Sequence, residues 1–456
     1  MRAKATTQTP RAVAFNVLLP LERSALKATL EPDHKREKLD QSLERLFPNF
    51  NAPQDKAFVS ALTYGIARRW FQLETLILWG LNRFEKFDNE FSASKTKQLL
   101  KPLDVKARLL LRMGFFQLLW LNSVPDYAAI ASTLELAELV KLDTRNKKQL
   151  HAVLSAAAEP ERLARLKKAI SVVPLWPKPF SQHLSGIFSE EQLLEMKAAS
   201  EQAPDGFWVR VNTIKISPEE YALTLKSEAI EFSASEPLGE CIRIQKFSGS
   251  PAQLPGFEEG LVYVQDLSSA LVTQWLLPES GQMILDLCAA PGSKTTHIAA
   301  RIKNDGRVLA VENNPRRSER LRENCKRLGA DCVEIITADA LVWEPETTLR
   351  FDRILVDAPC SGIGTLHHQP DTLVQWRKAE ATQYAKIQLE ILTRASQWLK
   401  PDGRLLYSTC SLDPLENQNV IQSFLASNPE WRWVETHQQP ITSTQDGFFG
   451  AVLTKK

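Results

Sequence analysis

The sequence predicts a multidomain protein: an all-α N-terminal domain, a small α/β module, and a larger α/β domain built on a parallel sheet. Three observations carry this reading. The chain has 456 residues, enough for two to four compact units at roughly 150 residues each. Its first third places apolar residues at spacings of three and four, with few β-branched runs. After Gly260, short apolar runs alternate with helical stretches, as strands and covering helices do in a parallel sheet.

Composition narrows the class. The 56 Lys+Arg against 54 Asp+Glu leave a formal charge of +2, and 43% hydrophobic with 24% charged residues exclude both a disordered chain and a histone-like binder. The charge is uneven, at about +7 for residues 1–160 and about −5 for 161–456, so any polyanion-facing surface is expected in the first third. Six cysteines without CxxC pairs or a regular disulfide spacing point to a reducing compartment. No apolar segment follows Met1-Arg2-Ala3-Lys4, and the richest apolar stretch, Leu109–Leu121, is broken by Arg112 and Gln117. A cytoplasmic protein without a membrane span is expected.

Residues 10 to about 155 read as helices joined by short polar turns. Two segments stand out: Asp55–Ile77, and Ala107–Leu121, which is apolar nearly all round and so reads as a buried core helix. Pro174, Pro177 and Pro179, then the helical run Glu190–Gln202, mark a connector. Phe207–Asn212 alternates like a strand, Ser217-Pro218 opens a helical pattern to Lys226, and Cys241–Ile244 reads as a second strand. The expected boundaries are 1–158 for the helical domain, 159–255 for the connector and module, and 256–456 for the α/β domain.

Within that last domain the strand-like runs are Met283–Leu287, Val308–Glu312, Val333–Ala338, Ile354–Val356 and Leu405–Ser408. Ligands of such sheets bind at the carboxyl ends of the strands, so the residues just after each run are the candidates. The first run leads into Cys288-Ala289-Ala290-Pro291-Gly292-Ser293-Lys294, small residues that let a ligand approach the backbone before a helix N-terminus. It is neither GxGxxG nor a Walker loop. The second run ends in Glu312, twenty residues beyond Gly292, where a carboxylate can accept from ribose hydroxyls. Asp339 and Asp357 follow the third and fourth runs. Converging carboxylates disfavour a diphosphate and favour a ligand with hydroxyls, an amine and a sulfonium, which is S-adenosylmethionine.

Cys360 follows Pro359 at one strand end and Cys410 lies in Tyr407-Ser408-Thr409-Cys410-Ser411 at another. Either alone reads as a buried inert thiol. Together on neighbouring loops they read as a reactive pair, because a thiolate adding to carbon 6 of a pyrimidine makes carbon 5 able to accept a methyl group.

The segments DLCAAPGSK (286–294), VLAVENNPRRSERLRENCKRLG (308–329), DAPCSGIGTL (357–366), YSTCSLDPLENQNVI (407–421) and DGFFGA (446–451) strongly resemble the Sun-family, RsmB-type RNA cytosine-5 methyltransferases. FWVRVNT (207–213) and VQDLSSALV (264–272) resemble that family's small RNA-binding module and the start of its catalytic domain. DKAFVSALTYGIARR (55–69) and RMGFFQLLWLNSVPDYAAIASTLELAE (112–138) resemble its NusB-like helical domain. The resemblance implies a Rossmann-like α/β S-adenosylmethionine-dependent methyltransferase domain. It also implies roles: Cys288 to Lys294 around the cofactor, Glu312 on its ribose, Asp339 by its adenine, and Asp357 between cofactor and target base. Cys410 would be the nucleophile and Cys360 would assist elimination, whereas the DNA-type enzymes use their Pro-Cys thiol as nucleophile.

The implied reaction is methylation of carbon 5 of a cytosine in small-subunit (16S) ribosomal RNA, the base flipped out to reach Cys410. Another RNA such as transfer RNA, or a nonenzymatic ribosome-assembly role, are the alternatives. RNA is the expected partner, with no membrane, no metal and a monomeric state. His297 and the pair His367-His368 show no metal-ligand spacing. Arg68, Arg69 and Arg210 are candidates for phosphate contact by position. Three features depart from the family pattern: Ser293 where a second glycine is usual, Glu312 where Asp is usual, and HHQPDTLVQW (367–376) in place of a basic pair with His-Pro-Asp. The NusB-like pattern fades at Asn146–Ala158.

Overall fold

The computed structural model describes residues 9–26, 38–46, 52–85, 92–247 and 249–456. Met1 to Lys4, on which the reading of the N-terminus rests, lie outside them. The chain divides into two compact units, residues 1–184 with 369–375, and residues 185–368 with 376–456.

The first unit is helical, as its periodicity predicts. Asp104 caps the helix Val105–Trp120 by accepting from Lys106 N at 2.7 Å, and between Ala107 and Leu119 all residues but Arg108 are buried. The Asp55–Ile77 stretch becomes two helices, Pro53–Arg68 and Trp70–Leu81, separated by Arg69 at φ −105° and ψ 19°. Gly65 permits the close approach of the first of these to the core helix, since a Cβ there would stand 2.1 Å from the ring of Phe116. The buried charge of the core helix, Arg112, is neutralised locally. Arg112 donates to Glu22 at 2.8 Å, to Glu74 at 2.6 Å and to the Trp70 carbonyl at 2.8 Å. This unit also takes in residues 369–375, where Asp371 accepts from Leu39 N at 3.3 Å and Val374 is buried in the helical core.

The second unit opens with the helix Glu190–Glu201, followed by a four-stranded antiparallel sheet of β1 (Phe207–Val211), β2 (Glu231–Ala234), β3 (Cys241–Lys246) and β4 (Val262–Val264), in the order β2-β3-β1-β4. Its helix Pro218–Ser227 starts from a capping box in which Ser217 and Glu220 bond each other's backbone N–H. β2 and β4 escape sequence reading because they are short and partly polar.

The larger sheet has seven strands: β5 (Gln282–Leu287), β6 (Gly306–Glu312), β7 (Val333–Thr337), β8 (Phe351–Asp357), β9 (Leu399–Thr409), β10 (Trp431–Gln439) and β11 (Phe448–Lys455). Their order is β10-β11-β9-β8-β5-β6-β7. The expected parallel sheet is present in β5 to β9, which are mutually parallel, and it is extended at one side by β11, antiparallel to both β9 and β10. Residues 440–447 between β10 and β11 are too few for a crossover helix, which leaves a hairpin as the available connection. Successive strands leave β5 in one direction through β6 and in the other through β8, so the carboxyl end of β5 is a topological switch point. Among the described residues, no helix is long and apolar enough to cross a membrane.

Candidate active site

At the switch point, β5 ends in the buried Asp286 and Leu287, and the chain turns through Cys288 to Gly292 before the helix Ser293–Arg301. The turn uses left-handed backbone at Cys288 (φ +63°) and Gly292 (φ +103°), and a Cβ on Gly292 would lie 2.6 Å from Leu321. Asp286 accepts from Thr295 Oγ1 at 2.6 Å through Oδ2, while its Oδ1 is buried without a hydrogen-bond partner. Burial pushes this carboxyl up to about 7. Ala289 N donates to Val311 O at 3.0 Å, which ties the turn to β6.

Glu312 closes the same end from β6. It is 1% exposed, accepts from Ala290 N at 3.3 Å and Asn314 N at 2.9 Å, and pairs with Arg317 at 3.3 Å. Ala290, Pro291 and Ser293 complete the turn that Glu312 braces. Asp339, beyond β7, is exposed and accepts from Leu341 N at 2.9 Å. Both carboxylates therefore lie at strand ends, as their sequence positions predict.

Asp357 ends β8 and is gripped from two sides, by Lys294 Nζ at 2.8 Å and by Ser408 Oγ at 2.9 Å. Lys294 thus links the helix after β5 to the β8 end. Burial works against its ammonium, but Asp357 and Cys410 outweigh that and raise its pKa. Cys360 and Cys410, fifty residues apart, are brought together with their sulfurs 3.3 Å apart. The hydrogen bond to Cys410, then burial, push the Cys360 thiol well above its ordinary range. The other thiols, apart from Cys288 in the turn, are the burial-suppressed Cys241, Cys325 and Cys332, pushed up to about 12, 12 and 11.

Two expectations about basic residues are corrected. Arg210 is fully buried and braces β1 against the loop region, donating to Gln265 at 2.8 Å and to Thr296 Oγ1 at 3.0 Å, so it offers phosphate nothing. Arg68 is likewise buried, at 6% exposure, and Arg69 lies over the Trp120 ring at 4.8 Å. The histidines hold positions that spacing alone did not reveal. His297 contacts Glu240 at 3.2 Å, and burial pushes its pKa down to about 3. His368 bonds Asp446 at 2.8 Å beside Asp266, with one ligand-type atom from each of the three within 4.8 Å of the others. Those carboxylates lie about eighty and a hundred residues away in sequence, which is why no local motif signals them.

Comparison with known proteins agrees with this architecture. Residues 273–453 match the family described as 16S rRNA methyltransferase RsmB/F, residues 8–159 the NusB family, and residues 176–249 the RsmF/B-like ferredoxin-like domain. The NusB match runs through the 146–158 stretch where the sequence pattern fades. The ribosomal RNA small subunit methyltransferase B of Klebsiella pneumoniae (strain 342) is 34% identical over 446 residues, covering 91% of this chain and 94% of that protein. Its counterpart in Proteus mirabilis (strain HI4320) is 34% identical over 442 residues, covering 92% and 96%. The crystal structure of PH0851 shares the fold with a TM-score of 0.75 at 24% identity, covering 97% of this chain and 99% of that one. On this identity and coverage, the chain belongs to the ribosomal RNA small subunit methyltransferase B family.

Proposed function

We propose that the protein methylates carbon 5 of a cytosine in small-subunit (16S) ribosomal RNA through a covalent adduct to Cys410. The observation that carries this reading is the pair of sulfurs 3.3 Å apart at the ends of β8 and β9, beside the Lys294–Asp357 ion pair.

S-adenosylmethionine supplies an electrophilic methyl group. The site suits it: Asp286, Glu312 and Asp357 are carboxyl groups at neighbouring strand ends, and Asp286 Oδ1 is a buried acceptor without a partner. Cys288, Ala289, Ala290, Pro291, Gly292, Ser293 and Lys294 would enclose it, Glu312 would accept from its ribose hydroxyls, and Asp339 would lie toward its adenine.

Cys410, whose charge acts on the nearby Lys294 ammonium, attacks carbon 6 of the flipped cytosine as a thiolate and leaves carbon 5 nucleophilic. Asp357 hydrogen-bonds the exocyclic amine or ring nitrogen as charge develops on the ring. After methyl transfer the carbon-5 proton passes to water, the electron pair of that bond forms the carbon 5–carbon 6 double bond, and the bond from Cys410 to carbon 6 breaks with its pair returning to sulfur as thiolate. Cys360, held as a thiol against Cys410, assists that elimination.

The division of labour follows the three segments 1–158, 159–255 and 256–456, with RNA held by the first two and chemistry performed by the third. The enzyme acts as a cytoplasmic monomer, and thiol addition calls for no metal. Bisulfite sequencing of small-subunit ribosomal RNA from cells with and without the gene tests the reading. One protected cytosine should become convertible in the deletion strain; an unchanged protection map would sink the assignment.

A further inference from the structure

Glu416 is a buried carboxylate, 0% exposed, that no lysine or arginine of the described residues bonds. Its four acceptor positions are instead filled by neutral donors. Oε2 accepts from Ser361 N at 2.8 Å and from Gln388 Nε2 at 3.1 Å. Oε1 accepts from Ser411 Oγ at 2.7 Å and from Ser361 Oγ. Ser361 is the residue after Cys360, and Ser411 is the residue after Cys410. Gln388 extends the grip by donating to Pro359 O at 2.9 Å, on the other side of Cys360.

The backbone N–H of Ser361 and the carboxamide of Gln388 are fixed donors on Oε2, whereas the two serine hydroxyls on Oε1 can donate or accept. A glutamine in this place would keep an oxygen for the fixed donors but would turn both hydroxyls into acceptors and remove the charge. Burial without a counter-ion raises the pKa of Glu416, and the hydrogen bonds from Ser361, Ser411 and Gln388 work in the opposite direction. The charge also has a neighbour. The titratable groups facing Cys360 are Tyr407 from β9, Asp357 from β8, and Cys410 and Glu416 from the loop after β9, with Lys294 beyond Asp357. Cys410, Glu416 and Asp357 each oppose a Cys360 thiolate in addition to the burial.

We propose that Glu416 is a positioning residue for methyl transfer: it ties the Cys360 loop to the Cys410 loop through Ser361 and Ser411, and it places a carboxyl beside Cys360. This rests on the assignment of Cys410 as nucleophile and Cys360 as its partner. A drift of about 1 Å between the loops degrades the sulfur geometry, and reactions of this kind are sensitive to such displacement.

The test uses the full-length protein with Glu416→Gln and, separately, the double variant Ser361→Ala/Ser411→Ala. Three quantities are read: S-adenosylmethionine affinity by calorimetry, single-turnover methyl transfer to ribosomal RNA, and the pH midpoint of iodoacetamide alkylation at Cys360 and Cys410, resolved by peptide mass spectrometry. Glu416→Gln should bind the cofactor within about twofold of wild type, lose about tenfold or more in transfer rate, and lower the Cys360 midpoint by about one pH unit. The serine double variant keeps the charge, so it should lose rate while leaving the Cys360 midpoint high. A folded Glu416→Gln protein with unchanged rate and midpoint overturns the proposal. If that variant does not fold, a serine double variant transferring within twofold of wild type overturns it equally. Retained transfer by Cys410→Ala would instead overturn the cysteine assignment, an outcome the Glu416 midpoints leave separate.

Discussion

The two thiols at the centre of the site differ in surroundings although they touch. Cys410 lies within the influence of the Lys294 ammonium, whereas Cys360 sits against Glu416 and Asp357, which oppose its ionisation. Cys410→Ala is therefore expected to abolish transfer, and Cys360→Ala to leave protein covalently trapped on RNA, visible as a denaturant-resistant band. An adduct with Cys410→Ala in place of Cys360→Ala would reverse the two roles. His297 makes a second prediction at this scale. Its pKa falls from an ordinary 6.5 to about 3 because burial, and then Arg210, oppose its charge more than Glu240 supports it. Between those values the unfolded chain binds the extra proton, so this contribution is complete above about pH 6.5 and is lost as pH falls towards 3. At about pH 5 the loss amounts to about 2 kcal/mol. Urea midpoints of wild type and His297→Gln at about pH 7.5 and about pH 5 check it: the acid-side drop should shrink in the variant, and equal drops would exclude the role.

Elements were legible where their burial is one-sided or complete. The helix Val105–Trp120 shows in the sequence because nearly every position is apolar, and β5, β6, β8 and β9 show because central strands bury both faces. β10 was not legible: WRWVETHQQ alternates exposed polar residues with partly buried ones, as an edge strand does. Arg112 makes the same point inside a helix. The sequence shows a charge interrupting an apolar run, but only packing supplies Glu22 and Glu74 as its partners and Trp70 as a ring 4.1 Å beneath it. Arg112→Ala would strand Glu22, whose pKa burial already raises, in a dry core. The expected cost is about 3–5 kcal/mol, measurable as a lower melting temperature. A shift of less than a degree would mean that water reaches the site.

For the whole molecule, the near-neutral total conceals two parts, about +7 for residues 1–160 and about −5 for the remainder. The exposed Lys141, Arg145 and Lys148 present positive charge on the helical unit, while Arg68 and Arg210 are spent on packing. If this face meets phosphate, affinity for ribosomal RNA should fall with salt, and reversing all three charges to Glu should reduce the log–log slope by about one for each lost contact. An unchanged slope would move the RNA surface elsewhere. The sequence by itself determined the three-part organisation, the strand-end placement of Cys288–Lys294, Glu312, Asp339 and Asp357, and the pairing of Cys360 with Cys410 at one edge. It could do so because periodicity and turn chemistry are local, and because carboxyl ends of parallel strands share an edge whatever the loops contain. Tertiary structure alone decided the antiparallel β10–β11 hairpin, the burial of Arg210, the Asp266–His368–Asp446 cluster and the Glu416 clamp. Ser361 and Glu416 lie 55 positions apart. The partner of a short polar side chain is selected by which loops packing brings within about 3 Å, and no local pattern encodes that distance.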